Sequence, residues 1–232
     1  AGLQELVSGD DLFQRDGKPL WGGSFAVAKD DKEDRWISPL EGTNDMIDSS
    51  KLPTMSVPYL PQLAAIYIAP PGRPLVSKRD ARHYFHMLSA GEEWRKLFGH
   101  PPLPASRHDG FPGGCEKLYP RHCSWPMGCK PSAAVAQRVT EASAFRAGLP
   151  ARRRCLPGQP APGDFPVWGA IVDDCWVIHD SANLEADCSH LWLPALDDEW
   201  HRINVETHPG KSIDYQKDVE VQGVEVRYDE SS

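Results

Sequence analysis

Short apolar runs separated by polar stretches predict two β-hairpins, one in each half of the chain. Phe25–Ala28 and Arg35–Ile37 flank a charged stretch, which is typical of antiparallel strands joined by a turn. Val167–Val172 and Cys175–Ile178 flank two adjacent aspartates in the same way. The pattern therefore predicts a second hairpin that presents both carboxylates at its tip.

Helical spacing of apolar residues is clearest after residue 130. Ser132–Ala147 follows a proline and places Ala134, Val135 and Val139 on one inner face, which predicts a helix. Residues 181–201 predict another helix, with a kink at Pro194, because proline lacks the backbone N–H that a helix interior needs.

The remaining segments complete a mixed pattern of strands and helices. Leu63–Ala69 and Leu75–Arg79 suggest extended segments, and Val219–Tyr228 alternates like a hairpin or a terminal strand. We expect an α+β fold in which the strands form one antiparallel sheet with helices packed on one side. Residues 1–24 are interpreted as an N-terminal extension, and residues 25–232 as the folded domain.

Composition limits the class of protein. The chain has 232 residues, of which 40% are hydrophobic and 25% charged, so it can bury a core and is not disordered as a whole. No apolar run approaches the roughly 20 residues that span a bilayer, and the first residues carry no signal-peptide pattern. We expect a soluble, intracellular piece of a longer protein with no membrane partner, in the nucleus or the cytoplasm.

The net charge of −8 conceals a basic middle segment. Residues 73–154 carry 15 basic and 6 acidic side chains, whereas the segments on either side are acidic. A basic segment of this kind could follow a phosphate backbone, and a solvated basic face is the alternative interpretation.

The six cysteines show no CxxC spacing, and the chain is too long to need disulfides for stability. Cys115, His122 and Cys123 are close enough along the chain for a zinc site to be conceivable. Their spacing fits no standard zinc pattern, so free thiols are the simpler expectation.

Asp80, Asp173 and Asp174 are the candidate chemical centre. Three carboxylates brought together can hold two divalent cations about 4 Å apart, as in-line attack on a phosphate requires. An Asp pair at a hairpin turn is common on structural grounds alone. The functional interpretation therefore depends on the segments that surround the three aspartates.

Those segments resemble the reverse-transcriptase family, in the family's order, from about Phe25 to Val226. After the first hairpin, the matching blocks are Asp80–Phe85, Pro126–Ser132 with Gln137 in the following helix, Ile171–Asp174, His208–Lys211 and Val221–Val226. Each block is weak by itself, and their shared order carries the resemblance. It implies a polymerase palm with an antiparallel sheet and packed helices, together with partial fingers.

The resemblance implies an RNA-directed DNA polymerase that joins a deoxynucleoside triphosphate to a primer 3′-hydroxyl on an RNA or DNA template. Two Mg²⁺ or Mn²⁺ ions would be held by Asp80, Asp173, Asp174 and the backbone carbonyl of Ala81. Lys211 matches a lysine that protonates the leaving pyrophosphate.

The same resemblance assigns residues to the nucleotide and to the primer. Lys29 and Arg35 match basic side chains on the triphosphate, and Phe85 matches the aromatic residue that excludes a 2′-hydroxyl. The other implied contacts are Met127, Gly128 and Gln137 for the nucleotide, and Gln222 and Gly223 for a turn that grips the primer end.

The sequence also departs from the family pattern. Pro39, Glu41 and Thr43–Asn44 stand where the family usually has Asp, Arg and Leu-Asn. Glu41 would repel a triphosphate where an arginine would hold it. The chain ends just past the primer-grip block, so we expect the thumb domain to be absent from it.

Two alternatives to a polymerase therefore stay open. One is a degenerate or repurposed palm domain that binds nucleic acid without polymerising. The other is a nucleotidyltransferase or cyclase that uses no template, against which the Pro-Met-Gly block and the primer-grip turn both argue. The sequence leaves the oligomeric state undetermined.

Overall fold

The structure is a computed structural model that describes residues 2–29, 31, 33–58, 60–105, 116–184 and 188–227. It divides into two compact units. Unit 1 comprises residues 1–53 and 85–133, and unit 2 comprises residues 54–84 and 134–232. Each unit has an antiparallel sheet of its own.

Short strands and short helices alternate along the chain. The strands are β1 (Gln4–Val7), β2 (Gln14–Arg15), β3 (Lys18–Pro19), β4 (Phe25–Ala28), β5 (Asp34–Ile37), β6 (Pro74–Asp80), β7 (Leu103–Pro104), β8 (Lys117–His122), β9 (Val167–Ile171), β10 (Asp174–Asp180), β11 (Ile213–Gln216), β12 (Val219–Val221) and β13 (Val224–Val226). The helices are α1 (Glu41–Met46), α2 (Leu60–Ala64), α3 (Tyr84–Met87), α4 (Glu92–Arg95), α5 (Ser132–Arg146) and α6 (Trp192–Arg202). Short 3₁₀ turns cover Gly9–Asp11, Ser49–Lys51, Ala151–Arg153 and Ser189–Leu191.

Unit 1 contains a small antiparallel sheet in the order β1-β8-β7, and the predicted β4–β5 hairpin is present with Phe25 opposite Ile37. The first 24 residues are part of this unit. β1 pairs with β8, and Val7 and Leu12 pack with Tyr119 in a buried cluster. The expected boundary at residue 25 therefore does not separate an independent extension from unit 1.

Unit 2 is built on a four-stranded antiparallel sheet in the order β11-β6-β10-β9. Its buried cluster includes Leu63, Val76, Trp176 and Ile178, and aromatic burial of this kind contributes much of a domain's stability. Gly169 on β9 lies against the Trp176 ring, and an added Cβ would come within 2.6 Å of Pro58. A glycine is therefore needed here for the close packing of β9.

Several local predictions were wrong. Among the described residues the strands form five separate sheets rather than one. Residues 60–64 form helix α2, so the segment from Leu63 is not simply extended. The predicted helix over residues 181–201 begins only at Trp192, which places Pro194 in the first helical turn. A proline there interrupts no helical hydrogen bond, so it causes no kink.

The helices of the described part of the chain are short or polar. None of them has the length and apolar character needed to cross a bilayer.

Candidate active site

The sheet of unit 2 brings the three candidate aspartates to one end. β6 ends at Asp80, which lies directly opposite Asp174 in the β6–β10 register. Asp173 belongs to the two-residue turn between β9 and β10, together with Val172. Asp174 is the first residue of β10, so only Asp173 of the two predicted carboxylates lies in the turn itself. Opposed carboxylates on neighbouring strands repel each other, which requires a compensating positive charge.

Two lysines supply part of that charge. The Lys211 ammonium donates to Asp80 Oδ2 at 3.1 Å, and Lys78 Nζ lies 3.3 Å from Asp174 Oδ2. The sequence pointed to Lys211 but missed Lys78, which lies two residues before Asp80 on the same face of β6. Asp174 Oδ1 is buried and has no hydrogen-bond partner among the described residues.

Burial disfavours the charged forms of these carboxylates. It raises the pKa of Asp174 to about 6, a shift that Lys78 opposes and that the charges of Asp173 and Asp80 increase. Burial also raises the pKa of Asp173, where the charge of Asp80 adds to the increase and both lysines oppose it. The three carboxylates therefore share one electrostatic environment.

The donor set fits a hard divalent cation on chemical grounds. Carboxylate oxygens are the ligands that Mg²⁺ prefers, and the unpartnered Asp174 Oδ1 is an acceptor that a cation would satisfy. As the side chains stand, however, no three Asp, Glu, His or Cys residues in the described ranges are arranged to hold one metal ion. Two of the three aspartates are engaged by lysines instead.

A second chain segment lies alongside the end of β6. The Ala81 N–H donates to Asp173 O at 2.8 Å, and Ala81 forms an antiparallel bridge with Thr207. The His208 N–H donates to Asp80 O at 2.7 Å. These backbone bonds fix the segment that carries Lys211 next to Asp80. They also place Ala81, an expected metal ligand through its carbonyl, beside the hairpin turn.

Helix α5 holds the hairpin turn through buried polar side chains. Val172 has a φ of +52°, a left-handed conformation that is unfavourable for a β-branched residue. Its N–H donates to Gln137 Oε1 at 2.8 Å, and its carbonyl accepts from Thr140 Oγ1. Tyr84 Oη lies 2.7 Å from Thr140 Oγ1 and extends this chain of hydroxyl groups.

Gln137 therefore has a different environment from the expected nucleotide contact. Its side chain is 1% exposed, and its amide donates to Ala170 O and to Glu141 Oε1. Glu141 also forms a buried ion pair with Arg154 at 2.5 Å. Gln137 positions the residue that precedes Asp173.

The buried face of α5 combines alanines, among them the predicted Ala134, with polar residues. Val135 and Val139 are only half-buried, whereas Gln137, Thr140 and Glu141 are buried. The i, i+3, i+4 spacing of these three residues was present in the sequence. Hydrophobicity alone could not assign polar residues to the inside of the unit.

In unit 1 the two basic residues expected at the triphosphate lie on the β4–β5 hairpin. Arg35 is exposed on β5 opposite Val27. Lys29 follows β4, and its ammonium donates to Glu33 at 2.7 Å. The hairpin therefore presents Arg35 to solvent while Lys29 is engaged by a neighbouring carboxylate.

The Pro-Met-Gly block is held by residues from the region of α1. The Ser38 N–H donates to Met127 O at 2.9 Å, and Asn44 Nδ2 donates to Gly128 O at 2.8 Å. Gly128 has a φ of +104°, and a Cβ there would overlap Ser38 O, so only glycine fits. The Lys130 N–H donates back to Asn44 Oδ1 at 2.8 Å. Asn44 thus anchors the block.

Phe85 and the primer-grip turn complete the expected contacts. Phe85 is half-buried on α3 in unit 1. In unit 2, Gln222 and Gly223 form the turn between β12 and β13, with φ of +53° and +81°. Positive φ at both turn residues is typical of a type I′ hairpin. The hairpin expected in this region is therefore present.

The zinc hypothesis gains no support in the described residues. Cys115 lies outside them, and His122 contacts Ser38 Oγ at 2.8 Å and the ring of His100 at a centroid distance of 4.5 Å. The five cysteines that the structure describes are free thiols.

Comparison with known proteins gives a similarity in structure but none in sequence. No protein-family model matches the chain, and no curated protein matches it. Among solved structures, it resembles the foamy viral protease–reverse transcriptase dRH in complex with ds DNA, with a TM-score of 0.60 and 13% sequence identity. The chain has a reverse-transcriptase-like fold.

This likeness concerns the fold and not the chemistry, because the sequences are so distant. The match covers 96% of this chain and 31% of that one, so the chain spans under a third of the viral protein's length. The expected α+β fold, a mixture of helices and antiparallel sheet, is confirmed.

Proposed function

We propose that the chain is the fingers and palm of an RNA-directed DNA polymerase. The observation that carries this proposal is the register of the unit 2 sheet, which places Asp80 opposite Asp174 with Asp173 in the adjacent turn. Opposed carboxylates, of which Asp80 is buried and Asp174 half-buried, destabilise a sheet. Their presence at one sheet end is understandable if they serve a cationic cofactor.

Asp80, Asp173 and Asp174 would hold two Mg²⁺ or Mn²⁺ ions, with the Ala81 carbonyl as a further ligand. When bound, the ions supply activation of the primer hydroxyl and neutralisation of phosphate charge. The hydrogen bond from Ala81 N–H to Asp173 O, at 2.8 Å, orients this part of the turn. Gln137 and Thr140 hold the preceding residue from the other side.

In the proposed reaction the primer 3′-hydroxyl loses its proton to water, and its oxygen attacks the α-phosphorus of a deoxynucleoside triphosphate in line. A P–O bond forms, the bond to the bridging oxygen of the β-phosphate breaks, and pyrophosphate leaves. Lys211, whose side chain is 51% exposed beside Asp80, would donate a proton to the leaving group.

The remaining roles follow the family resemblance. Arg35 and Lys29 would contact the triphosphate, Phe85 the sugar, and Met127 and Gly128 the nucleotide. Gln222 and Gly223 would hold the primer end. The partners would be an RNA or DNA template with its primer, which agrees in kind with the double-stranded DNA in the structure of the viral protein.

Primer extension on an RNA template, with Mg²⁺ or Mn²⁺, tests this function. Asp173→Ala should abolish extension, because the metal ligands are incomplete, while the fold is retained, because a turn aspartate contributes little packing. The control is Asp218→Ala, which removes an exposed carboxylate from another turn of unit 2 and should extend primers like the parent. Equal extension by Asp173→Ala and the parent would refute the metal assignment.

A domain that binds nucleic acid without polymerising is the second candidate. It is favoured by Glu41, which is exposed at the start of α1, and by the Lys29–Glu33 pair, which neutralises a cation of the β4–β5 hairpin. Under this alternative, the folded chain retains a primer–template in a binding assay but extends it with neither metal.

A further inference from the structure

We propose that Lys78 is an internal counter-ion that lowers the affinity of the aspartate cluster for divalent cations, and must release Asp174 when a cation binds there. This inference rests on the proposed function, because it concerns the same cluster. It assigns a role to a residue that the family resemblance did not identify. The supporting observations are the position of Lys78, the bonding of Asp174 and the contrast with Lys211.

Lys78 is fixed by the central sheet. It lies on β6 between β11 and β10, opposite Ile213 on one side and Trp176 on the other. Its side chain reaches diagonally across to Asp174, with Nζ 3.3 Å from Oδ2. Both side chains are largely buried, with 21% and 23% exposure respectively. The ammonium is therefore held in an environment of low dielectric, where charge interactions are strong.

Asp174 is only half satisfied by this pair. One carboxylate oxygen faces Lys78, and the other is buried without a hydrogen-bond partner in the described part of the chain. A cation that bound both oxygens, or the oxygen shared with Lys78, would meet the ammonium at close range. Two like charges cannot occupy the same side of one carboxylate, so the ammonium must move away.

The two lysines differ in how easily they can leave. The Lys211 side chain is 51% exposed and lies in a turn segment, so it can swing into solvent. Lys78 stands on a central strand and has less than half that exposure. Together they reduce the formal charge of the three carboxylates from −3 to −1. Lys78 is the part of this compensation that persists.

The test is a titration of Mn²⁺ into the whole chain without nucleotide. Binding is measured by calorimetry and by the loss of the electron paramagnetic resonance signal of free Mn²⁺. Lys78→Gln should bind Mn²⁺ at least tenfold more tightly than the parent, because removal of a unit charge about 5 Å from a divalent ion is worth roughly tenfold in affinity even at the dielectric constant of bulk water. Lys78→Arg keeps the charge and should bind like the parent. Lys217→Gln, on an exposed lysine of unit 2, changes the net charge equally and should have an effect below about twofold.

The outcomes separate this inference from the proposed function. Equal affinities of the parent and Lys78→Gln, with weaker binding by Asp174→Asn, would overturn the role of Lys78 and leave the metal site standing. Absence of binding by the parent, Lys78→Gln and the double variant Lys78→Gln/Lys211→Gln would overturn both. Circular dichroism checks folding, and Lys78→Met, which keeps the aliphatic stem, replaces Lys78→Gln if the glutamine variant is misfolded.

Discussion

Both units bury ionisable side chains, but the aspartate cluster of unit 2 and the surroundings of His122 in unit 1 compensate for burial in different ways. In unit 2 the carboxylates of Asp80 and Asp174 are paired with lysines. In unit 1 the His122 imidazole is 2% exposed, and its neighbours are the Ser38 hydroxyl and the rings of His100 and Trp36. The first region keeps charges and compensates them in part, whereas the second keeps a buried imidazole neutral.

The two regions should therefore respond to acid in opposite directions. Burial lowers the pKa of His122 to about 3, with further contributions from His100 and His86. A lowered histidine pKa means that stability is complete above the unfolded pKa and is lost as pH falls below about 6.5. Burial raises the pKa of Asp174 to about 6, so its ionised form destabilises the fold at neutral pH. That penalty is relieved as pH falls from about 6 towards 4.

The largest expected effect is on His122. Between about pH 7.5 and pH 4.5, protonation of this histidine in the unfolded chain should remove about 3 kcal/mol from the free energy of unfolding. His122→Gln keeps a polar group near Ser38 but cannot be protonated, so it should lose most of this pH dependence. Urea denaturation at several pH values measures the slope, and amide exchange in β8 locates the loss in unit 1.

His201→Gln is the control for this experiment, because it removes an exposed imidazole from α6 in unit 2. It should leave the acid dependence unchanged. A slope in His122→Gln as steep as in the parent would show that other groups cause the acid sensitivity of unit 1.

Asp174 should give a smaller effect of opposite sign. Asp174→Asn removes the partly buried charge and should stabilise the chain by about 2 kcal/mol at pH 7. A pKa raised by roughly two units corresponds to about 3 kcal/mol, and solvent screens part of this at a carboxylate that is 23% exposed. The advantage over the parent should shrink as pH falls to about 4.5, where the parent's Asp174 is protonated. Denaturation at both pH values, with amide exchange in β10, provides the measurement.

Asp214→Asn serves as the matched control, because Asp214 is a more exposed carboxylate of unit 2 that also pairs with a cation, Arg79. Loss of that pair should destabilise the chain or leave it unchanged. If Asp174→Asn is less stable than the parent at pH 7, then the Lys78 ion pair outweighs desolvation, and the comparison between the units fails.

The sequence was sufficient for elements whose signals are local. Two short apolar runs on either side of the aspartate pair predicted the β9–β10 hairpin, and helical spacing predicted α5 almost to its ends. The resemblance grouped Asp80 with Asp173 and Asp174. The β6–β10 register places Asp80 opposite Asp174, and the metal-binding role of the three residues stays a prediction. Each of these features depends on neighbouring residues within one element or on the order of the family-like segments along the chain.

The missed features depend on contacts between distant parts of the chain. Lys78 reaches Asp174 only because of the register between β6 and β10, which no local pattern contains. Likewise, Gln137 is buried because its amide and carbonyl match the backbone of the hairpin turn. A polar residue inside a helix gives no signal of its buried partner until that partner is placed beside it.

The smallest expected effect concerns backbone strain in the hairpin turn, where Val172 has a positive φ although two-residue turns of this kind favour glycine or asparagine. Val172→Gly should be more stable than Val172→Ala by about 1 kcal/mol, since both lose the branched side chain and only alanine keeps the strained Cβ. The backbone bonds to Gln137 and Thr140 persist in both variants, so the difference isolates the strain. Urea denaturation of the two variants measures it. Equal stabilities would mean that the left-handed conformation of Val172, which Gln137 and Thr140 select through their hydrogen bonds, costs the fold nothing.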